Sequence, residues 1–292
     1  MIWIVGDKGM LGTELRLEFE KSNIDVIGSD REVNILEPIE LSKFAENKDI
    51  SAIVNCAAYT AVDKAEEEQD AAERLNAEGP RNLAELAGNL GARFIHISTD
   101  YVFHGKSERP YLESDQVSPE SVYGKTKAEG EKRIFAVNRN AIVVRTAWLY
   151  GRFGGNFVHT MLKLMATKEK VGVVSDQWGS PTWALDLARA ISVIVLSPRA
   201  LPGIYHFTDE GAITWYEFAL EISRLGRERG ILSTACEIAP LATAQYPTKA
   251  KRPAYSVLSK EKIKREFSIV PPDWRKSLSA YFDSVSSGSI AR

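Results

Sequence analysis

A tyrosine and a lysine four positions apart, Tyr123 and Lys127, lie within Ser121-Val122-Tyr123-Gly124-Lys125-Thr126-Lys127-Ala128-Glu129-Gly130-Glu131. Ser118-Pro119 just upstream, and the helix formers Lys127, Ala128, Glu129, Glu131 and Lys132, place this stretch at the start of a helix. Positions i and i+4 share a helix face, so the two side chains would point into one space. A free phenol ionises near ~10 and is a poor acid or base at neutral pH. A cation beside it favours the phenolate. A lowering of about 3 units corresponds to about 4 kcal/mol of differential stabilisation. Tyr-x-x-x-Lys also describes the start of many amphipathic surface helices, so its meaning depends on the elements around it.

The N-terminus supplies a candidate cofactor site. The apolar run at residues 2–5 ends in Gly6-Asp7-Lys8-Gly9-Met10-Leu11-Gly12, and Leu11, Leu15, Leu17 and Phe19 then carry helical spacing. Strand, glycine turn and helix together bind a dinucleotide pyrophosphate: glycines permit close backbone approach, and the helix N-terminus offers free N–H donors. Gly6, Gly9, Met10, Leu11 and Gly12 are therefore cofactor candidates, in a spacing one residue different from G-x-G-x-x-G. The next strand, residues 24–28, leads to Asp30, 24 positions after Gly6, near the place of an acid that bonds the adenosine ribose. Arg31 beside it would instead meet a 2′-phosphate, so NADH and NADPH both stay open. A buried strand at 50–55 runs into Cys56-Ala57-Ala58-Tyr59-Thr60. Small residues there would let an adenine or ribose lie against the backbone, making Ala57, Ala58 and Tyr59 cofactor candidates; close packing explains them equally well.

Residues 62–75 are rich in charge and read as the wet face of one long helix. Residues 94–98 form another strand, running into Thr99-Asp100. Ligands of open parallel sheets sit at the carboxyl ends of strands, so Thr99 and Asp100 are placed to reach a substrate. His96 alternates with apolar neighbours and reads as a packed strand residue. His104, His159 and His206 show no metal spacing, and no catalytic metal is expected. Residues 141–145 form a strong strand ending in Thr146-Ala147-Trp148. Helical spacing follows at 157–165 and 184–196, with a strand-like run at 203–207. Beyond Thr208 strands thin out, and 284–292 read as a frayed tail. This alternation predicts an α/β fold: a doubly wound, Rossmann-like parallel sheet with a smaller C-terminal substrate-binding cap. Residues 1–150, completed by about 170–207, would be the dinucleotide-binding domain, and 151–169 with 208–292 the substrate-binding region.

Composition narrows the class. The 292 residues are 44% hydrophobic and 26% charged, ordinary for a globular protein. A formal charge of −2 with scattered basic residues argues against nucleic acid or a charged membrane surface as partner. No run approaches a transmembrane length, and the immediate glycine loop leaves no room for a signal peptide. Cys56 and Cys236 lie far apart, so neither a disulfide framework nor a zinc site is expected, and a reducing cytoplasm is the expected location.

Taken together, the motifs resemble the short-chain dehydrogenase/reductase superfamily in its extended branch acting on nucleotide sugars. The marks are Gly6-x-x-Gly9-x-x-Gly12, Tyr123-x-x-x-Lys127 and a hydroxyl residue, Thr99, 24 positions before the tyrosine. More narrowly the chain is similar to the dTDP-4-dehydrorhamnose reductase family. That likeness rests on Asn55-Cys56-Ala57-Ala58-Tyr59-Thr60-Ala61-Val62-Asp63, Ser98-Thr99-Asp100-Tyr101-Val102-Phe103, Arg145-Thr146-Ala147-Trp148-Leu149-Tyr150-Gly151 and Asp176-Gln177-x-Gly179-x-Pro181-Thr182. Tyr205-His206 and Trp215-Tyr216-Glu217-Phe218-Ala219 extend it into the cap.

The resemblance implies hydride transfer from NADPH or NADH to C4 of a 4-keto-6-deoxysugar carried on dTDP. Tyr123 would be the general acid. Lys127 would lower the phenol's pKa and hold the nicotinamide ribose, and Thr99 would hydrogen-bond the keto oxygen. Asp100 and Trp148 would line the sugar pocket, and Asn76 matches an asparagine that many superfamily members use in a proton relay. Lys251 and Arg252 are candidate diphosphate partners, although Pro253-Ala254-Tyr255-Ser256 departs from relatives that carry an asparagine there. Family members dimerise, some around magnesium, so a homodimer is implied while no magnesium ligands are evident. Two alternatives stand beside the reductase. An epimerase or 4,6-dehydratase of this fold is one, although a dehydratase would need an acid where Tyr101 stands. A non-catalytic reductase-like regulatory subunit is the other, although Thr99, Tyr123 and Lys127 are all present.

Overall fold

Alternation of side chains along each strand decides how the layers stack. The computed structural model describes residues 1–199, 201–233 and 235–285. Its main sheet has six parallel strands: β1 (Ile2–Val5), β2 (Val26–Ser29), β3 (Ala52–Asn55), β4 (Arg93–Thr99), β5 (Ile142–Thr146) and β6 (Gly203–His206). Their order across the sheet is β6-β5-β4-β3-β1-β2. On β1, Ile2 and Ile4 face the helices Met10–Lys21 and Ala184–Leu196, packing with Leu15, Phe19, Leu187 and Ile191. Trp3 and Val5 face the opposite way, toward Leu41, Leu83, Ala87 and Ile134 of the helices Pro38–Ala45, Gly79–Leu90 and Val122–Val137. Both faces are covered, as a parallel sheet built by helical crossovers requires. The expected doubly wound sheet is present.

A second core forms beyond the strand ends. Leu162 and Met165 of Phe157–Thr167, Phe218 and Ile222 of Trp215–Glu228, and Leu278 and Tyr281 of Trp274–Ser284 enclose it. The expected return to the sheet at about residue 170 does not occur there. Lys170–Val174 instead pairs in parallel with Glu237–Leu241, and Val171 and Val173 point into the second core. The chain rejoins the sheet with Ala184–Leu196 and β6.

The charged stretch at 62–75 is not one helix. It divides into Val62–Ala65, Gln69–Glu73 and a π turn, Arg74–Glu78. Ala65 and Ala72 are fully buried beside Val122. The π turn brings Asn76 inward. Ser284 closes the last helix rather than opening a tail, and 286–292 lie outside the described residues. Among the described residues, no helix is long and apolar enough to cross a membrane.

Candidate active site

Because β1, β3 and β4 are neighbours, their carboxyl ends place Gly6, Ala57 and Thr99 in a row. The turn after β1 is shaped by what its glycines lack. Gly6 has φ +79°, and a Cβ there would lie 2.8 Å from Ala57 N; a Cβ on Gly12 would lie 2.1 Å from Gly6 O. Gly9 begins the Met10–Lys21 helix without a side-chain cap. The first-turn N–H groups at Met10, Leu11 and Gly12 are thus available to a ligand. This cradle fits a dinucleotide diphosphate: it offers donors, positive helix-end potential and no Cβ in the way. Asp30 and Arg31 follow β2 at the cradle's edge. The Asp30 N–H donates to Glu32 Oε1 (2.8 Å), and Lys8 Nζ donates to Glu32 Oε2 (2.9 Å), which ties the turn to the end of β2. Ala57, Ala58 and Tyr59 line the third side. The Tyr59 hydroxyl donates to Glu68 (2.7 Å).

Thr99, Tyr123 and Lys127 converge at the end of β4. Ser121 caps the Val122–Val137 helix by accepting from the Gly124 N–H. This helix lies hard against its neighbours because two positions lack side chains: a Cβ on Gly124 would sit 2.2 Å from Tyr101 O, and one on Gly130 2.0 Å from Asn76 O. The Thr99 hydroxyl donates to Asp100 Oδ1 (3.0 Å) and accepts from the Tyr101 N–H (3.2 Å). The Tyr123 ring meets Tyr101 edge-on at 5.5 Å. Burial pushes the Tyr123 phenol up, the Thr99 hydroxyl pulls it back, and Asp100 and Tyr101 push it further up.

Lys127 extends to the backbone of β4. Its Nζ donates to Ile97 O (2.6 Å) and lies 3.1 Å from His96 Nε2. Burial lowers Lys127 to about 8, with Glu131 and Cys56 opposing. The lysine is not among the groups that lower the phenol. Glu131, one turn further on, holds the helix to β4 and β5 through Ser98 and Arg145.

Asp100 is buried, and its Oδ2 has no partner. Burial raises its carboxyl to about 6, with Ser256 and Thr99 drawing it down. Trp148 follows β5 with φ +47°, and its indole stacks on Trp215 with centroids 3.5 Å apart and planes 11° apart. Gly179 makes the room, since a Cβ there would lie 2.5 Å from the Trp148 ring. Trp215 belongs to the motif that extends the resemblance into the cap, but nothing in its spacing predicts that it stacks on Trp148. His96 is packed within β4 as its apolar neighbours predict, but one polar residue in an apolar strand carries no signal that it faces Lys127.

Three other candidates are engaged elsewhere. The Asn76 amide accepts from Tyr59 N–H and donates to Tyr59 O and Thr126 Oγ1, bracing the loop rather than relaying to Lys127. Arg252 donates to Tyr101 Oη (2.9 Å) and Asp63 (2.6 Å), and Lys251 pairs with Glu120 (2.5 Å). The 253–256 segment is clamped over the site: Ala254 O accepts from Trp178 N–H, and Tyr255 N–H donates to Gly105 O. Among the described residues, no group of three or more His, Cys, Asp or Glu side chains is arranged to hold a metal ion.

The RmlD substrate binding domain family matches residues 1–287. The chain belongs to that family. It is 40% identical over 288 residues to the spore coat polysaccharide biosynthesis protein SpsK of Bacillus subtilis, covering 98% of each chain. It is 38% identical to the dTDP-4-dehydrorhamnose reductase of Aggregatibacter actinomycetemcomitans, covering 94% of this chain and 96% of the other. Among solved structures, the Bacillus anthracis dTDP-4-dehydrorhamnose reductase in complex with NADP superposes with a TM-score of 0.91 at 33% identity, covering 97% of this chain and 99% of that one.

Proposed function

We propose that this protein reduces the 4-keto group of dTDP-4-dehydro-L-rhamnose to dTDP-L-rhamnose in the cytoplasm, using NADPH or NADH. The observation that carries the reading is the convergence of Thr99, Tyr123 and Lys127 at the end of β4, beside the Gly6–Gly12 cradle, in a chain 38% identical to a reductase of that name. The bound reduced nicotinamide supplies the hydride. Tyr123 gives its hydroxyl proton to the C4 oxygen as negative charge forms there. Burial, by holding the phenol protonated, suits it to act as an acid. Thr99 hydrogen-bonds the same oxygen and stabilises the developing charge. Lys127 holds the nicotinamide ribose. Asp100 contacts the sugar, and the stacked Trp148 and Trp215 indoles offer a flat apolar wall to its deoxy edge. Gly6, Gly9, Met10, Leu11 and Gly12 cradle the cofactor diphosphate, with Asp30, Arg31, Ala57, Ala58 and Tyr59 around its adenosine. Every group named comes from one chain, so a homodimer would carry two separate sites.

The test compares wild type with Tyr123→Phe, following NADH and NADPH oxidation with enzymatically generated dTDP-4-dehydrorhamnose. Turnover should fall by about 10²–10⁴-fold in the variant. A folded, cofactor-binding wild type that does not turn this sugar over would overturn the assignment.

A further inference from the structure

The loop after β5 carries an ion pair that none of the steps above uses. It runs from Trp148 at the sugar wall to the helix Phe157–Thr167. Trp148 holds a φ of +47°, a left-handed conformation that a bulky side chain keeps only where its surroundings impose it. Thr182 holds the near side: its N–H donates to Trp148 O (3.2 Å) and its hydroxyl to Ala147 O (2.7 Å). On the far side the chain lies on the helix that carries the cofactor cradle. A Cβ on Gly151 would meet Ala184 Cβ at 3.0 Å and Met10 Cγ at 3.2 Å, so the backbone there is pressed against the first turn of Met10–Lys21. One turn along the same helix Glu14 receives Arg152, whose Nε donates to Oε1 (3.0 Å) and whose Nη2 donates to Oε2 (2.6 Å). Two parallel bonds of this kind fix direction as well as distance. Glu14 is fully buried and Arg152 is 29% exposed, so the carboxylate depends on this guanidinium for its partner. Past Arg152 the chain is held less closely. A Cβ on Gly154 or Gly155 would meet nothing within 4 Å, and the Asn156 amide donates back into the loop, to Gly151 O (2.9 Å).

We propose that Arg152 and Glu14 are positioning residues for the sugar: their fork fastens the turn at 148–152 to the cofactor helix and so sets where the Trp148 indole stands relative to the cradle. The inference rests on the reading that Trp148 lines the sugar pocket. Arg152 is four positions from Trp148, and the turn between them is held at both ends. Hydride transfer needs the sugar and the nicotinamide in register, and small misplacements are costly. The two are bound by different parts of the chain, the cofactor by the turn after β1 and the sugar by the loop after β5. Arg152 and Glu14 join those two parts directly. The guanidinium pairs with no other carboxylate among the described residues, and its remaining neighbour is the Phe153 ring, 5.2 Å away. The pair also stays clear of the proton chemistry, since neither residue is among the groups that shift Tyr123 or Lys127.

The test separates the position of the indole from the stability of the fold. Trp148 and Trp215 stack with centroids 3.5 Å apart, so they should give an exciton couplet in circular dichroism, identified by its loss in Trp148→Phe. Arg152→Met breaks the fork and leaves the Glu14 carboxylate buried alone; Glu14→Gln/Arg152→Met breaks the fork and leaves no charge behind. Urea unfolding should show the single variant destabilised and the double variant restored toward wild type. The couplet should weaken in both. KM for the nucleotide sugar should rise at least about threefold in both, with a smaller change in kcat and an unshifted pH profile. Arg152→Lys keeps the charge with one bond in place of two, and should fall between wild type and Arg152→Met in couplet and KM. A double variant whose couplet and KM return along with its stability has lost only a structural ion pair, which overturns the proposal. So does a single variant that folds with both unchanged. The couplet is read without substrate, so it decides the proposal even where the turnover assay finds no activity toward this sugar.

Discussion

Replacing Glu131 by Gln should destabilise the protein by about 3–5 kcal/mol, the usual cost of leaving one member of a buried ion pair without its partner. Glu131 and Arg145 have side-chain exposures of 5% and 1%. The carboxylate accepts from Arg145 Nε at 2.9 Å, Arg145 Nη2 at 2.6 Å and Ser98 Oγ at 2.5 Å. Hydrogen bonds to charged groups contribute about 1.5–3 kcal/mol each, so losing even one or two reaches this range. A glutamine keeps one acceptor but turns an NH2 toward the guanidinium fork or the serine. The arginine then retains the Phe103 ring, 5.0 Å away, and a distant His206 nitrogen at 3.5 Å, on a ring whose pKa burial lowers to about 3. Neither replaces a carboxylate. Urea unfolding at pH 7 measures the loss. The double variant Glu131→Gln/Arg145→Met should recover most of it, because removing both charges of a buried pair is often close to neutral. A single variant within about 1 kcal/mol of wild type, or a double variant costing the sum of the singles, would refute the reasoning. Turnover should also fall, since Glu131 anchors the helix that carries Tyr123 and Lys127, and small misplacements of reacting groups are costly.

Lys127→Met should abolish turnover and expose a pH signature. The folded-state value of Lys127 is lowered from 10.5 to about 8, so the folded protein binds fewer protons than the unfolded chain between those values, and stability rises with pH there. Relative to the methionine variant, wild type should gain about 3 kcal/mol or more by pH 10.5, beginning no higher than pH 8; parallel stability curves would count against a buried, proton-poor lysine. Gly12→Ala puts a Cβ 2.1 Å from Gly6 O, so cofactor affinity by fluorescence titration should weaken more than about tenfold, and unchanged affinity would argue against the cradle. Trp148→Ala removes one sheet of the indole stack and should raise KM for the nucleotide sugar roughly three- to tenfold with a smaller change in kcat; an unchanged KM would take Trp148 out of the sugar site.

What was legible in the sequence is what short-range geometry governs. A strand alternates with period two, a glycine turn announces itself by the absence of side chains, and residues four apart on a helix share a face. Those rules were enough for the six-stranded doubly wound sheet, for the turn at Gly6–Gly12 and for putting Tyr123 beside Lys127 on one helix. The ordered motifs from Asn55 to Phe218 were enough for the family. The path from residue 170 to 184 was not legible, because an apolar run such as Val171–Val174 fits either core and only its pairing with Glu237–Leu241 decides between them. The Lys127–His96 contact, the Glu131–Arg145 pair, the Trp148–Trp215 stack and the hold of Asp63 and Tyr101 on Arg252 were not legible either. Each joins residues far apart in the chain, and hydrogen bonds and ring stacks depend on direction as well as on type. Spacing along a sequence carries no direction between distant residues; that is settled only when strand order and helix docking bring the two side chains face to face.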